Sequence, residues 1–390
     1  MIVTYFYGDT PQEWNCSNYN CVIPARAINR TGVHEAYLAY LNDFQANQPH
    51  IQALCEKSDI IFIERNFFGD VNTMAMFWKV RNKVVAGVFD DAYDLLHPLN
   101  IPHKFWNEGT VKVTKPDGTV IEDNIKPPPL RQLKFGLPLV KGATMPSVML
   151  CKDWGKYTKT YYLRNVLEFS EYQNVTRLHP HDEKEIYIGW CGSLSHLDSF
   201  LSSGIITALD NVCQKHSNVK VLISGDKRIF DELPLPENSK IFQEFVQKPD
   251  WPRLVKSLDI GLAPLTGRYD LRRSWIKGLE YMMLQVPWIG SDCITYNELR
   301  WYGLLVENTA QAWEKAITET INDIDNARKY AKGEPYIFAL SQTSDLQLDN
   351  RLKIYQEIID SEFDRRDVMS EINQTLVDHG APSIKEIYDK

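Results

Sequence analysis

Lys277 and Glu280 stand three positions apart in SWIKGLEYMMLQVPWIGSD, residues 274–292, a spacing that places both side chains on one face of a helix. Alone, such a pair is ordinarily a surface ion pair worth about 0–1 kcal/mol. Its neighbours raise the expectation. Ser274 is placed to cap the helix. Lys277 then falls in the first turn, where the helix dipole disfavours a cation unless an anion lies near. The preceding loop adds Asp270, Arg272 and Arg273. The chemistry open to this set is the holding of a phosphate.

Two further stretches have the same potential. In IGWCGSLSHLDSF an apolar strand runs into Gly192-Ser193 and a helix begins shortly after, so backbone N–H groups and a helix start face whatever sits above the strand end. His196 beside that opening could hydrogen-bond a phosphate or a sugar. In VKVLISGDKRIF, Gly225 closes a strand and Lys227 follows at the carboxyl end, where parallel sheets bind ligands. Asp90-Asp91 end another apolar run and could contact an acceptor, act as base or cap a helix. Adjacent strand residues point to opposite faces, which disfavours a shared metal. Gly32, before an expected helix, would allow close approach of a ligand.

These residues need a scaffold of alternating strands and helices, and the chain supplies one. Short apolar runs at 2–6, 59–63, 84–89 and 146–150, and again at 185–190, 219–224, 258–263 and 286–290, read as strands of parallel α/β units. Val33, Tyr37, Tyr40, Leu41 and Phe44 suggest a helix between the first two strands. Further helices are expected over 198–215, 249–257, 274–284 and 309–323. VKVTKPDGTVIED predicts a hairpin turning at Pro116-Asp117-Gly118, inside an insertion over 97–146. The expected organisation is an N-terminal Rossmann-like domain (1–170), a linker near 165–184, a C-terminal Rossmann-like domain (185–345), and a crossing helix and tail (346–390).

Composition bounds the function. The 390 residues are 44% hydrophobic and 24% charged, too long for one ordinary core. A formal charge of -8 argues against a dedicated duplex-DNA binder. No apolar stretch has the length of a membrane span, and MIVTYFYGD reads as a strand rather than a signal peptide. Seven scattered cysteines without zinc spacing suggest reduced thiols and a cytoplasmic location.

Taken together, IGWCGSLSH, VKVLISGD, LDIGLAPL, SWIKGLEYMMLQVPWIGSD and YGLLVEN resemble, in order and separation, the C-terminal half of GT-B glycosyltransferases of the retaining glycosyl transferases group 1 type. VIPARAINRTG is similar to the family's glycine-containing first loop and VVAGVFDDAYDLL to a strand ending in paired aspartates. VMLCKDWGKYTKTYYLRNVLEFSEY is similar to the segment entering the interdomain linker, with Asn165 at the family's asparagine. The resemblance implies an α/β fold of two Rossmann-like domains facing a cleft. It also implies a nucleotide-diphosphate sugar as donor substrate, no bound cofactor or metal, and an acceptor (glycan, small molecule or modified DNA) on the N-terminal domain.

It assigns the ribose to Glu280, a phosphate to Lys277 and a backbone turn to Gly192 and Ser193. His196, Gly225, Lys227, Arg272, Arg273 and Ser274 are expected around the donor, with Gly32 on the opposite loop. Retention is implied, with cations stabilising the leaving diphosphate. Arg272 stands where the family places an acid eight residues before Glu280, and Asp270 is the nearest substitute. The catalytic candidates are therefore Asp90, Asp91, Asp270 and Lys277. Two alternatives remain. One is transfer to modified DNA bases, using Lys104, Lys112, Lys115, Lys126, Arg131 and Lys134 of the insertion. The other is a non-catalytic binding protein, which Arg272 would favour.

Overall fold

Strands covered by helices on both faces must be apolar throughout, and the runs IVTYF, IIFI, IYIGW and VLIS meet that condition. In the computed structural model, which describes residues 1–9, 16–182 and 184–362, they form the middles of two parallel six-stranded sheets. The first holds β1 (Ile2–Tyr7), β2 (Glu35–Tyr40), β3 (Ile60–Glu64), β4 (Val85–Val88), then, after the antiparallel hairpin β5 (Thr110–Thr114) and β6 (Val120–Asn124), β7 (Ala143–Met145) and β8 (Thr160–Tyr162). Its order is β2-β1-β3-β4-β7-β8. The second holds β9 (Ile186–Cys191), β10 (Val219–Ser224), β11 (Lys240–Gln243), β12 (Ile260–Ala263), β13 (Trp288–Ser291) and β14 (Leu304–Val306), in the order β11-β10-β9-β12-β13-β14.

Each order reverses once, between β1 and β3 in the first sheet and between β9 and β12 in the second. At such a reversal the flanking connections leave to opposite sides and open a crevice beyond the carboxyl ends of the strands. Asp9 and Arg65 mark that point in the first sheet and Gly192 in the second, and all three line one cavity.

Three expected elements differ. The stripe from Val33 to Phe44 is not one helix: Glu35–Tyr40 is the edge strand β2, followed by the helix Leu41–Ala46, and the helix between β1 and β2 is Ile23–Arg30. An edge strand is covered unevenly, and Tyr37, Tyr40 and Leu41 repeat at a spacing that also fits a helix. The run at 146–150 is not a strand. β7 ends at Met145, and Ser147 accepts a hydrogen bond from the Leu150 N–H to start the helix Val148–Trp154. The helix expected over 198–215 is two, Leu197–Ser202 and Ile205–Lys215, broken at Gly204 with φ +81°.

The chain crosses between the sheets twice. It leaves β8 through 163–168 and returns through 343–347 into the helix Leu348–Asp360, which packs on the first sheet, where the Tyr355 and Tyr5 hydroxyls meet at 2.7 Å. The tail after residue 362 lies outside the described residues. Among the described residues no helix is long and apolar enough to cross a membrane.

Asp259 fastens the connector to the second sheet. Its buried carboxylate accepts hydrogen bonds from Arg177 (2.7 Å), Arg328 (2.8 Å) and the Tyr187 N–H (2.9 Å), and lies 2.8 Å from His181 Nε2. Burial alone would raise its pKa, but these donors outweigh burial and hold it below the ordinary value. Because the folded value is depressed, the stabilisation is complete above the unfolded value of about 3.9 and is lost as pH falls through the folded one. Asp259→Asn is expected to lower the urea midpoint at pH 7, with the gap to the wild type closing below about pH 4.

Candidate active site

The helix Ile276–Met283 supplies one wall of the cleft. Leu279, Met282 and Met283 face the core, and Gly278 lets the helix lie against Leu299 and Trp288. It stops in a Schellman arrangement: Gln285 adopts φ +57° and donates to the Met282 carbonyl (3.0 Å), and the Val286 N–H donates to that of Tyr281 (2.9 Å). This stop, with Pro287 behind it, fixes the rotation of the helix and turns Lys277 and Glu280 into the cleft.

Glu280 is only 1% exposed. One carboxylate oxygen accepts from the Trp251 indole N–H (2.7 Å), the Tyr19 hydroxyl (2.9 Å) and the Tyr172 hydroxyl (3.0 Å), and the other from Lys277 Nζ (3.1 Å). Burial would raise its pKa, but Lys277 and the neutral donors outweigh it and keep the group ionised. Lys277 Nζ also lies 4.6 Å from the centre of the Trp251 ring, a cation–π distance. Lys277 and Glu280 are thus a desolvated pair at a cavity, not a surface decoration.

Opposite this helix, β9 ends in Gly192-Ser193. Gly225 has φ +100° and passes so close to the Gly192 carbonyl that no side chain could be placed there. Gly225 therefore holds the Gly192 turn in shape while lining the larger cavity described below. Arg273 closes the gap between the two walls. Its Nε donates to Asp270 (2.9 Å) and its Nη2 to the Ser195 carbonyl (2.7 Å). Asp270 is fully buried, accepting also from Ser199 (2.6 Å) and the Thr266 N–H (2.7 Å), and burial raises its pKa despite Arg273.

Asp90, Asp91, Gly192, Ser193, His196, Arg273, Ser274, Lys277 and Glu280 all line one cavity of about 140 Å³. Three buried polar atoms of its lining residues, Asp90 Oδ2, His196 Nδ1 and Ser274 Oγ, have no hydrogen-bond partner among the described residues. Native interiors rarely leave such atoms unpaired, so they are open to hydrogen bonds from a ligand or from water. Burial, then Arg273 and Lys277, push the His196 pKa well down, so the ring is neutral. Ser274 does not cap the helix as expected. Trp275 occupies the N-cap position without a side-chain hydrogen bond.

A second cavity, of about 690 Å³, adjoins the first and shares Cys16, Asp91, Gly192, Ser193 and Phe245 with it. The first sheet forms its other wall. Asp90 accepts from the Tyr93 hydroxyl (2.6 Å) and faces Arg65, which pairs with Asp9. Asp91 stands at the junction of the cavities. Its pKa is raised to about 6, because burial and Asp90 outweigh the pull of Arg273.

Four expected site residues line neither cavity: Asp270 is the fully buried partner of Arg273 described above, and the other three lie elsewhere. Gly32, at φ +66°, follows the helix Ile23–Arg30 and lines neither cavity. Lys227 is exposed and paired with Asp231. Arg272 turns away from the cavities to Asp153 of the first half (2.6 Å) and the Arg268 carbonyl (2.9 Å). It ties the two halves together across the cleft, so no acid occupies its position. Conversely, Tyr19, Arg65, Tyr172, Phe245 and Trp251 were not singled out from sequence. The one local sequence signal was a charged Glu64-Arg65 ending an apolar strand; in the structure Arg65 adopts the unusual φ of +38°.

The fold and cleft are those of GT-B proteins. Residues 185–323 match the family model described as Glycosyl transferases group 1, which bears out the resemblance over the second sheet. Among solved structures, Anabaena HepE in complex with UDP and glucose superposes with a TM-score of 0.60 at 12% identity, covering 92% of this chain and 99% of that one. Sucrose-phosphate synthase from Thermosynechococcus elongatus gives 0.56 at 12% identity, with 92% and 98% covered. S. aureus MnaA with UDP gives 0.53 at 11%, with 93% and 98% covered. No curated protein sequence matches the chain significantly.

Proposed function

We propose that the protein transfers a glycosyl group from a nucleotide-diphosphate sugar to an acceptor hydroxyl. The observation that carries this reading is the convergence of Lys277, Glu280, Arg273 and the Gly192-Ser193 turn on one cavity that opens, at Asp91, into a second. The ribose hydroxyls bind Glu280. The diphosphate lies against the Gly192-Ser193 backbone, Ser274, Arg273 and Lys277, whose charges stabilise it as it leaves. His196, neutral and unpaired, donates to or accepts from the sugar or its phosphate. Asp91, at the junction, holds the acceptor hydroxyl against the sugar's anomeric carbon, and the donor phosphate oxygen assists loss of its proton with retention of configuration. The group 1 match and the UDP complexes of HepE and MnaA support the donor half.

The second cavity supports an uncharged hydroxyl acceptor rather than a phosphate-bearing one. It presents Asp9 and Asp91, and its single arginine, Arg65, is already paired.

The test is a thermal-shift series with UDP, GDP, ADP and CMP, followed by incubation of matching donors with candidate acceptors. One nucleoside diphosphate is expected to raise the melting temperature saturably, because it binds only the folded state. The product anomer, read by NMR coupling, is expected to match the donor's. No shift with any nucleotide and no donor consumed would overturn the reading.

A further inference from the structure

The two interdomain crossings run side by side. The Leu167 N–H donates to the Gln342 carbonyl (3.2 Å) and the Ser344 N–H to that of Leu167 (2.8 Å), and the helix Leu348–Asp360 begins directly after. Against this joint lies a cavity of about 240 Å³, away from the sugar-nucleotide cleft, with Arg164, Gln347, Asn350 and Arg351 on its wall. Arg164 is paired with Glu298. Among the described residues Arg351 has no such partner.

Arg351 is 6% exposed, yet no carboxylate of the described residues reaches it. Its one side-chain hydrogen bond among the described residues runs from Nη1 to the Tyr355 hydroxyl (3.1 Å), and Nε and Nη2, which have no partner there, are not sealed from solvent. The Tyr355 ring is at 6.0 Å, the outer limit of a cation–π contact. Tyr5, which shares a hydrogen bond with Tyr355, supplies no counter-charge, since burial holds its phenol well above the ordinary range. A guanidinium largely withdrawn from water is disfavoured unless an anion lies near it. Arg272, the other buried arginine among the described residues, has its carboxylate. Arg351 also lines a narrow void that reaches Tyr19 and Asn165, both on the wall of the donor cavity.

We propose that this hinge cavity binds a small oxyanion, held by the Arg351 guanidinium with the Asn350 and Gln347 amides, which ties the outgoing connector to the returning helix. The planar fork of arginine suits phosphate and carboxylate alike. Because both crossings meet here, an occupied site fixes the angle between the halves, the coordinate on which GT-B-type clefts open and close. The proposal does not depend on the assignment of the donor site.

The probes are inorganic phosphate and acetate, each titrated against the full-length protein at ionic strength held constant with chloride. A saturable rise in melting temperature is expected with one or both, and which of them acts identifies the anion as phosphate or carboxylate. The rise is expected to vanish in Arg351→Met and to persist in Lys277→Ala, which separates the hinge from the diphosphate site. Should Arg351→Met fail to fold, Asn350→Asp places a carboxylate beside the guanidinium. That variant is expected to melt higher than wild type in chloride and to lose the response to added anion. No response in the wild type would overturn the proposal. So would a response lost in Lys277→Ala but kept in Arg351→Met or Asn350→Asp.

Discussion

Asp91→Asn is expected to lower kcat/KM for the acceptor about 100-fold, the scale of a misplaced reacting group, with nucleotide affinity nearly unchanged. Asp91 is the carboxylate common to both cavities, and the atoms it would touch belong to the acceptor, not to the nucleotide. The pH dependence sharpens the test. Burial raises the Asp91 pKa to about 6, so the charged form that orients a hydroxyl is lost on acidification well above the range of an ordinary aspartate. Acceptor kcat/KM should therefore fall below about pH 6 in the wild type and lie flat across that range in the asparagine variant, which has no proton to take up. A pH-independent wild-type profile with undiminished Asp91→Asn turnover would remove Asp91 from the reaction.

Lys277→Ala is expected to weaken nucleoside diphosphate binding by about 10- to 100-fold, the equivalent of one charge-assisted hydrogen bond of roughly 1.5–3 kcal/mol. Calorimetric titration measures it. A second effect follows from the same geometry. Lys277 is the only cation within hydrogen-bonding reach of the Glu280 carboxylate among the described residues, and Glu280 is almost wholly buried. Without Lys277 the neutral donors from Trp251, Tyr19 and Tyr172 remain, but burial is no longer opposed by a charge. The Glu280 pKa should rise and the variant should be less stable. Lys277→Met, which keeps the stem over Trp251, separates the lost charge from the lost packing. An unchanged affinity for every nucleotide in both variants would sink the donor assignment.

How much of this was legible beforehand depended on whether the signal was local. The unit 274–292 is self-contained: a stripe, a Schellman stop and a buried strand, all written within nineteen residues, and helix and strand fall where expected. The strands β9, β10 and β12 were legible because burial on both faces leaves an unbroken apolar run. β2 was not. Its pattern from Glu35 to Tyr40 mixes buried, half-buried and exposed positions, because it lies at the sheet's edge. In the site, Glu280 and Lys277 could be named from their own segment, whereas Tyr19, Trp251 and Arg65 acquire meaning only when folding brings them together from three parts of the chain. Arg272 shows the converse. Its position is defined by local alignment to a motif, but its partner Asp153 is 119 residues away, and nothing near Arg272 announces it.

Tyr19 has a kinetic consequence. Its hydroxyl, contributed by the first half of the chain, already occupies the carboxylate that the nucleotide's ribose is proposed to use. The surrounding space, about 140 Å³, is below the roughly 300 Å³ at the lower end of ligand sites. On the proposed assignment of Glu280, the protein competes with its own donor. Binding must wait for the cleft to part, so the observed association rate should level off at high nucleotide concentration at the rate of parting. The apparent affinity should be weaker than the intrinsic one by the fraction of molecules already open.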